Sequence, residues 1–131
     1  MLQSHGLTGQ SLHHVFTAVI QSKLLYCSPA WSGFTTAADR RRLDMFIRRS
    51  QRYGYCSPDV LPVSELFDNA DNALFRTIIN NSSHILGHFL SIKSHNNYNV
   101  RHRKHNFELI KKTTSLSDRN FLIRMLYKDI Y

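Results

Sequence analysis

Three stretches of this chain repeat apolar side chains at the spacing of an α-helix. Leu12, Val15, Phe16, Val19, Ile20 and Leu24 fall at i, i+3, i+4, i+7, i+8 and i+12, so a 3.6-residue period places them on one face. Thr8 supplies an N-cap, and Pro29 drives Ser28 out of the helical region, so the first helix is expected over 9–27. "SPAWSGF" then reads as a tight connection, with Trp31 and Phe34 placed to seal a core. A second helix is expected over 37–53, capped by Thr35 or Thr36, with Asp39 in its first turn and Gly54 as its stop. A third is expected over 63–80, with Ser64 as its cap; Val63, Leu66, Phe67, Ala70, Leu74 and Ile78 keep the spacing, and "DNADN" is a weak middle.

The expected core is Leu12, Phe16, Val19, Ile20, Leu24, Leu43, Phe46, Ile47, Leu66, Leu74 and Ile78. If Phe46 is fully buried, its truncation to Ala costs roughly 3–5 kcal/mol.

The pattern weakens after "NNSS" at 80–83. "HILGHFL" at 84–90 reads as a short apolar turn or helix, and "KSHNNYNVRHRKHN" at 93–106 as a basic, poorly ordered linker. "FELIKKT" reads as a short extended piece. A last helix starts at Ser117 or Asp118 and carries Phe121, Leu122, Met125 and Leu126. Strand alternation is scarce. The fold class is therefore mainly α: a small bundle of three to five helices over 1–90, then a linker and tail helix over 91–131.

The stretch "DRRRLDMFIRRSQRYGY", 39–55, sets six arginines against two carboxylates. At 100° per residue, Leu43, Phe46, Ile47, Ser50 and Tyr53 share one side. Arg41, Arg48 and Arg52 lie within about 40° of one another on the opposite side, with Arg42 and Arg49 flanking them. Such a face is either a solvated surface or a cationic strip for a polyanion. The whole chain carries 17 Lys+Arg against 9 Asp+Glu, a net charge of +8, which favours nucleic acid, an anionic surface or an acidic protein as partner. With 42% hydrophobic residues it is not a disordered basic tail.

No phosphate-cradling glycine loop, nucleophile elbow or HExxH motif is present, nor an adjacent Asp-Asp pair for two-metal chemistry. The eight histidines do not make a metal site: His84 and His88 share a helical face, but two ligands are too few, and His84 reads better as a packed or turn-capping residue. His95, His102 and His105 read as solvated linker residues or phosphate contacts. No cofactor is implied. Cys27 and Cys56 lack a CxxC spacing, and no secretory or membrane-spanning pattern accompanies them. Reduced thiols, no membrane partner and a nuclear or cytoplasmic location are expected. Trp31, Tyr26 and Tyr53 read either as stacking platforms for bases or as core anchors.

Three segments in order, "SKLLYCSPAWSGFTTAADRRRLDMFIRRSQRYGY", "DNALFRTIINNSSHIL" and "RHRKHNFELIKKTTSLSDRNFLIRMLYKDIY", resemble the C-terminal end of the reverse transcriptase polyprotein of non-LTR, LINE-type, jockey-like retrotransposons. The resemblance runs almost end to end. The family's Leu-Leu-Tyr-x-Ser-x-x-Trp pattern falls on Leu24, Leu25, Tyr26, Ser28 and Trp31. Its arginine-rich helix falls on Ala38, Asp39, Arg40, Leu43, Phe46, Arg48 and Arg49, and its closing pattern on Leu116 to Asp129. Prolines common in the family after "HIL" and in the linker are replaced by "HFLSIK" and "RHRKHN".

The resemblance implies a thumb-like segment over 1–90 and a tail over 91–131. The aromatic-x-Asp-Asp motif of the palm is not in this chain, nor are an endonuclease domain or a terminal zinc knuckle. It therefore implies a non-catalytic fragment of an RNA-directed DNA polymerase that holds template–primer RNA or DNA by its backbone phosphates. Arg41, Arg42, Arg48, Arg49, Arg52, Arg101, Arg103 and Lys104 would be the contacts, and the missing palm a second partner. The alternatives are a protein-interaction module using the basic face, or a truncated element with no selected function.

Overall fold

The computed structural model describes residues 6, 8–93 and 105–128. It is mainly helical, as expected, and among the described residues the only β pairing is an isolated antiparallel bridge between Lys93 and Phe107. The chain divides into two compact units, Met1–Ala70 and Asp71–Tyr131. The boundary expected after residue 90 does not coincide with this division.

In the first unit, α1 (Gly9–Val15) is capped by Thr8, whose Oγ1 accepts from Ser11 N–H at 3.4 Å. It runs into a π-helical segment, Phe16–Gln21, and then into α2 (Ser22–Leu25). The signature of the π segment is the i−5 bond from Ser22 N–H to the Thr17 carbonyl. Each such turn takes up about one residue more than an α turn, so side chains beyond it lag behind the α-helical phase. Val19 is carried out of the stripe and exposed, and Ile20 reaches only its edge, correcting their place in the expected core. Leu24 stays with the core cluster.

Leu25 ends the helix two residues before the expected stop. Cys27 adopts a left-handed conformation (φ 49°), uncommon outside Gly, Asn and Asp. The "SPAWSGF" segment is a tight connection, as expected, but Ser28 is not driven out of the helical region: it is the first residue of a helical turn, α3 (Ser28–Trp31), with Pro29 in that turn, and a 3₁₀ turn follows at Ser32–Phe34. Trp31 packs edge-to-face on Phe67, ring centroids 5.1 Å apart, and its Nε1–H donates to the Tyr26 carbonyl. Phe34 is exposed and seals nothing.

Helix α4 spans Ala37–Arg52 and α5 Val63–Asn80. Ile47, Val63, Leu66 and Phe67 form the buried centre of the first unit, with Leu24, Leu25, Leu43, Trp31 and Val60 packed around it. The stripe of α4 that faces inward is centred on Leu43, Ile47 and Ser50. Phe46 sits about 40–100° from these positions, is 47% exposed, and stacks on Phe16 at 6.5 Å. Its expected full burial is therefore corrected. With Phe16, Ile20, Leu24, Leu43 and Leu66 it lines an apolar groove of about 340 Å³.

The second unit holds the C-terminal part of α5. Its buried core is Phe75, Ile78, Phe107, Phe121, Met125 and Leu126. The polar middle of α5 is tolerated because Asp71, only 1% exposed, pairs with Arg124 at 2.7 Å. The "HILGHFL" segment is a 3₁₀ helix, Ile85–Phe89, and His84 caps it, its Nδ1 accepting from Leu86 N–H. The tail is two short helices, α6 (Ser115–Arg119) and α7 (Phe121–Tyr127), starting two residues before the expected position. Thr114 caps the first and Asn120 the second.

His105 overturns its reading as a solvated or phosphate-touching residue: it is buried, contacts Phe75 and Phe107, and bridges the Leu126 carbonyl and Phe107 N–H. The rest of the expected linker, 94–104, lies outside the described residues, apart from Lys93 and Asn106 at its ends.

The two faces of α4 give different expected costs. Ile47→Ala should destabilise the first unit by about 2–5 kcal/mol, and the half-exposed Phe46→Ala by only about 1–2 kcal/mol. Urea denaturation of the two variants checks the ranking; equal costs would contradict the burial pattern.

Candidate nucleic-acid interface

The charge balance of α4 is decided by what its two acids do. Thr36 and Asp39 form a capping box: Thr36 N–H and Oγ1–H donate to Asp39 Oδ2 at 3.0 and 2.6 Å, and Asp39 N–H donates to Thr36 Oγ1 at 3.2 Å. The bonds from Thr36 hold the Asp39 carboxyl below its ordinary range, with a smaller contribution from Arg42. Asp44 instead reaches across to the start of α5 and accepts Val63 N–H at 2.9 Å. That bond replaces the cap expected from Ser64, which lies within the helix.

Both carboxylates are therefore occupied by backbone groups that helix starts leave without partners. Arg40 is also engaged: Nε donates to Thr35 Oγ1 at 2.9 Å and Nη2 to the Ser32 carbonyl at 3.1 Å. Arg42 lies 4.0 Å from Asp39, a long, exposed contact worth little. Arg41, Arg48, Arg49 and Arg52 are exposed, with no hydrogen-bond or ion-pair partner among the described residues.

The five arginines predicted from spacing thus share one exposed side of α4, spanning about 120° of its circumference. Arg101, Arg103 and Lys104 lie outside the described residues. Trp31 is a core anchor, whereas Tyr26 and Tyr53 are exposed. A residue missed in the sequence is Tyr55, whose ring stands 5.9 Å from that of Tyr53. The only signal for that pair was the glycine between them.

Among the described residues no group of three or more His, Cys, Asp or Glu could hold a metal, and no helix is long and apolar enough to cross a membrane. Cys27 and Cys56 are both free thiols. Comparison with protein-family profiles, curated proteins and solved structures returns no match.

The capping box gives a pH signature. Asp39 is depressed in the folded state, so its contribution is fully present above the unfolded carboxylate value of 3.8 and is lost as pH falls through the folded value. The stability gap between the wild type and Asp39→Asn should be constant above about pH 5 and shrink under acid. Urea midpoints measured across that range check the sign; a gap that widens in acid would contradict it.

Proposed function

We propose that this chain is the non-catalytic thumb-and-tail part of a LINE-type reverse transcriptase, and that it holds an RNA or DNA template–primer through backbone phosphates. The observation that carries this reading is the strip of α4: both acids of the helix are committed to helix caps, so the exposed guanidinium groups stay available to an external anion. A guanidinium fork meets phosphate oxygens bidentately, and phosphate contacts give affinity and register without reading sequence. The order of the three sequence patterns supports the same assignment.

On this reading the chain is not a polymerase by itself. The apolar groove beside Phe46 is the surface that the missing palm would cover, and the site of action is the nucleus or cytoplasm. A second reading, a basic interaction face for an acidic protein, draws on the same strip and differs in its salt response to random nucleic acid.

The test is a salt titration of binding to random-sequence duplex and single strands, for the wild type and the combined variant Arg41→Gln, Arg48→Gln, Arg52→Gln. If about four phosphates are neutralised, log K should fall against log salt with a slope of roughly −3 to −4. The triple variant should have a shallower slope and weaker binding, to a similar extent across unrelated sequences. Identical slopes and affinities would leave the arginines as solubilising surface.

A further inference from the structure

Helix α4 ends in a turn that sets two aromatic rings at the end of the arginine strip. Gly54 takes the left-handed conformation (φ 72°). Its N–H donates to the Gln51 carbonyl at 3.0 Å, and Tyr55 N–H reaches back to the Ser50 carbonyl at 2.9 Å. These are the two bonds of a Schellman turn, which needs φ > 0 at its glycine. Beyond it, Cys56 is buried and its Sγ lies 3.9 Å from the Ile47 carbonyl, which ties the exit to the core.

The consequence is a pair of neighbouring rings. The Tyr53 and Tyr55 rings lie 5.9 Å apart at 43°, and the side chains are 62% and 41% exposed. Arg49 lies four residues before Tyr53, one turn back and about 40° round the helix, at the edge of the strip nearest the ring, and Arg52 immediately precedes it, about 100° round.

Exposed aromatic faces beside guanidinium groups suit a strand whose bases are not paired. The arginines take the phosphates, and each ring offers a surface for any base. A duplex keeps its base faces inside its own stack and cannot use them. The positive neighbours argue against an acid-free apolar protein surface as the occupant.

We propose that Tyr53 and Tyr55, flanked by Arg49 and Arg52, form a stacking site for unpaired bases of single-stranded nucleic acid. The proposal rests on the reading of the arginine strip as phosphate-binding and adds a preference for single strands at its C-terminal end.

The test uses the full chain and fluorescence anisotropy with four probes: oligothymidylate, oligouridylate, a random-sequence duplex and an abasic strand of equal phosphate count. The double variant Tyr53→Leu, Tyr55→Leu should lose about tenfold or more in affinity for oligothymidylate, oligouridylate or both, and their comparison identifies the preferred strand. It should bind the duplex and the abasic strand as the wild type does. The double variant Tyr53→Phe, Tyr55→Phe keeps the rings and should retain single-strand affinity, separating stacking from any effect on folding.

Unchanged affinity of the Leu variant for both base-bearing strands would overturn the stacking site, and so would an equal loss on the abasic strand. If the arginine triple variant loses binding while the tyrosine variant does not, phosphate binding stands and stacking falls. If the wild type binds none of the probes, both readings fall.

Discussion

The bond from Val63 N–H to Asp44 Oδ1 organises the first unit. It satisfies one of the donors at the start of α5 and places a negative charge where the helix dipole favours one. It also ties the middle of α4 to the first residue of α5, across the loop 57–62. That loop is held from the other side by Gln51, whose Nε2 donates to the Ser57 and Pro58 carbonyls. Val63 and Ile47 are buried directly beside this junction. The same carboxylate is one of only two in an arginine-rich helix, so its use here leaves the outer side of α4 cationic. The Asp44 contact therefore bears on both sides of the helix: on the packing of Ile47 and Val63, and, together with the Asp39 capping box, on the charge of the outer side.

The second unit has a comparable polar centre. Asp71 and Arg124 are 53 residues apart in sequence, yet their side chains meet at 2.7 Å. Arg124 Nε also donates to the Arg119 carbonyl, which links α6 to α7. Breaking a buried pair of this kind leaves a charge in a low-dielectric interior, at a cost of about 3–5 kcal/mol. His105 acts alongside it. With Phe107 N–H donating to Nδ1, Nε2 carries the proton that the Leu126 carbonyl accepts. The residue thus joins the segment after the basic stretch to the last helix.

The π segment in the first helix bears on both the groove and the sequence pattern. By delaying the helical phase it keeps Leu24 with the core cluster while Val19 turns to solvent. Phe16 and Ile20 remain on the groove wall with Phe46 and Leu43. The stripe that looks continuous in an ideal α projection is therefore two shorter stripes joined out of phase, and the open groove borders that junction.

Much of the architecture was legible without coordinates because it depends on local chemistry. Thr8 and Thr36 cap where hydroxyl side chains precede helical runs, Gly54 stops α4, and the span of α5 follows its apolar spacing. The five-arginine strip followed in the same way, since helical period alone fixes which residues share a side. What the sequence could not determine depended on partners far along the chain. Asp44 rather than Ser64 completes the start of α5. Asp71 is buried because Arg124 meets it. His105 leaves the apparent linker for the core. A 3.6-residue period assigns a side chain to a face of its own helix; only tertiary packing decides how deeply that face is covered, which is why Ile47 is buried and its neighbour Phe46 remains half in water.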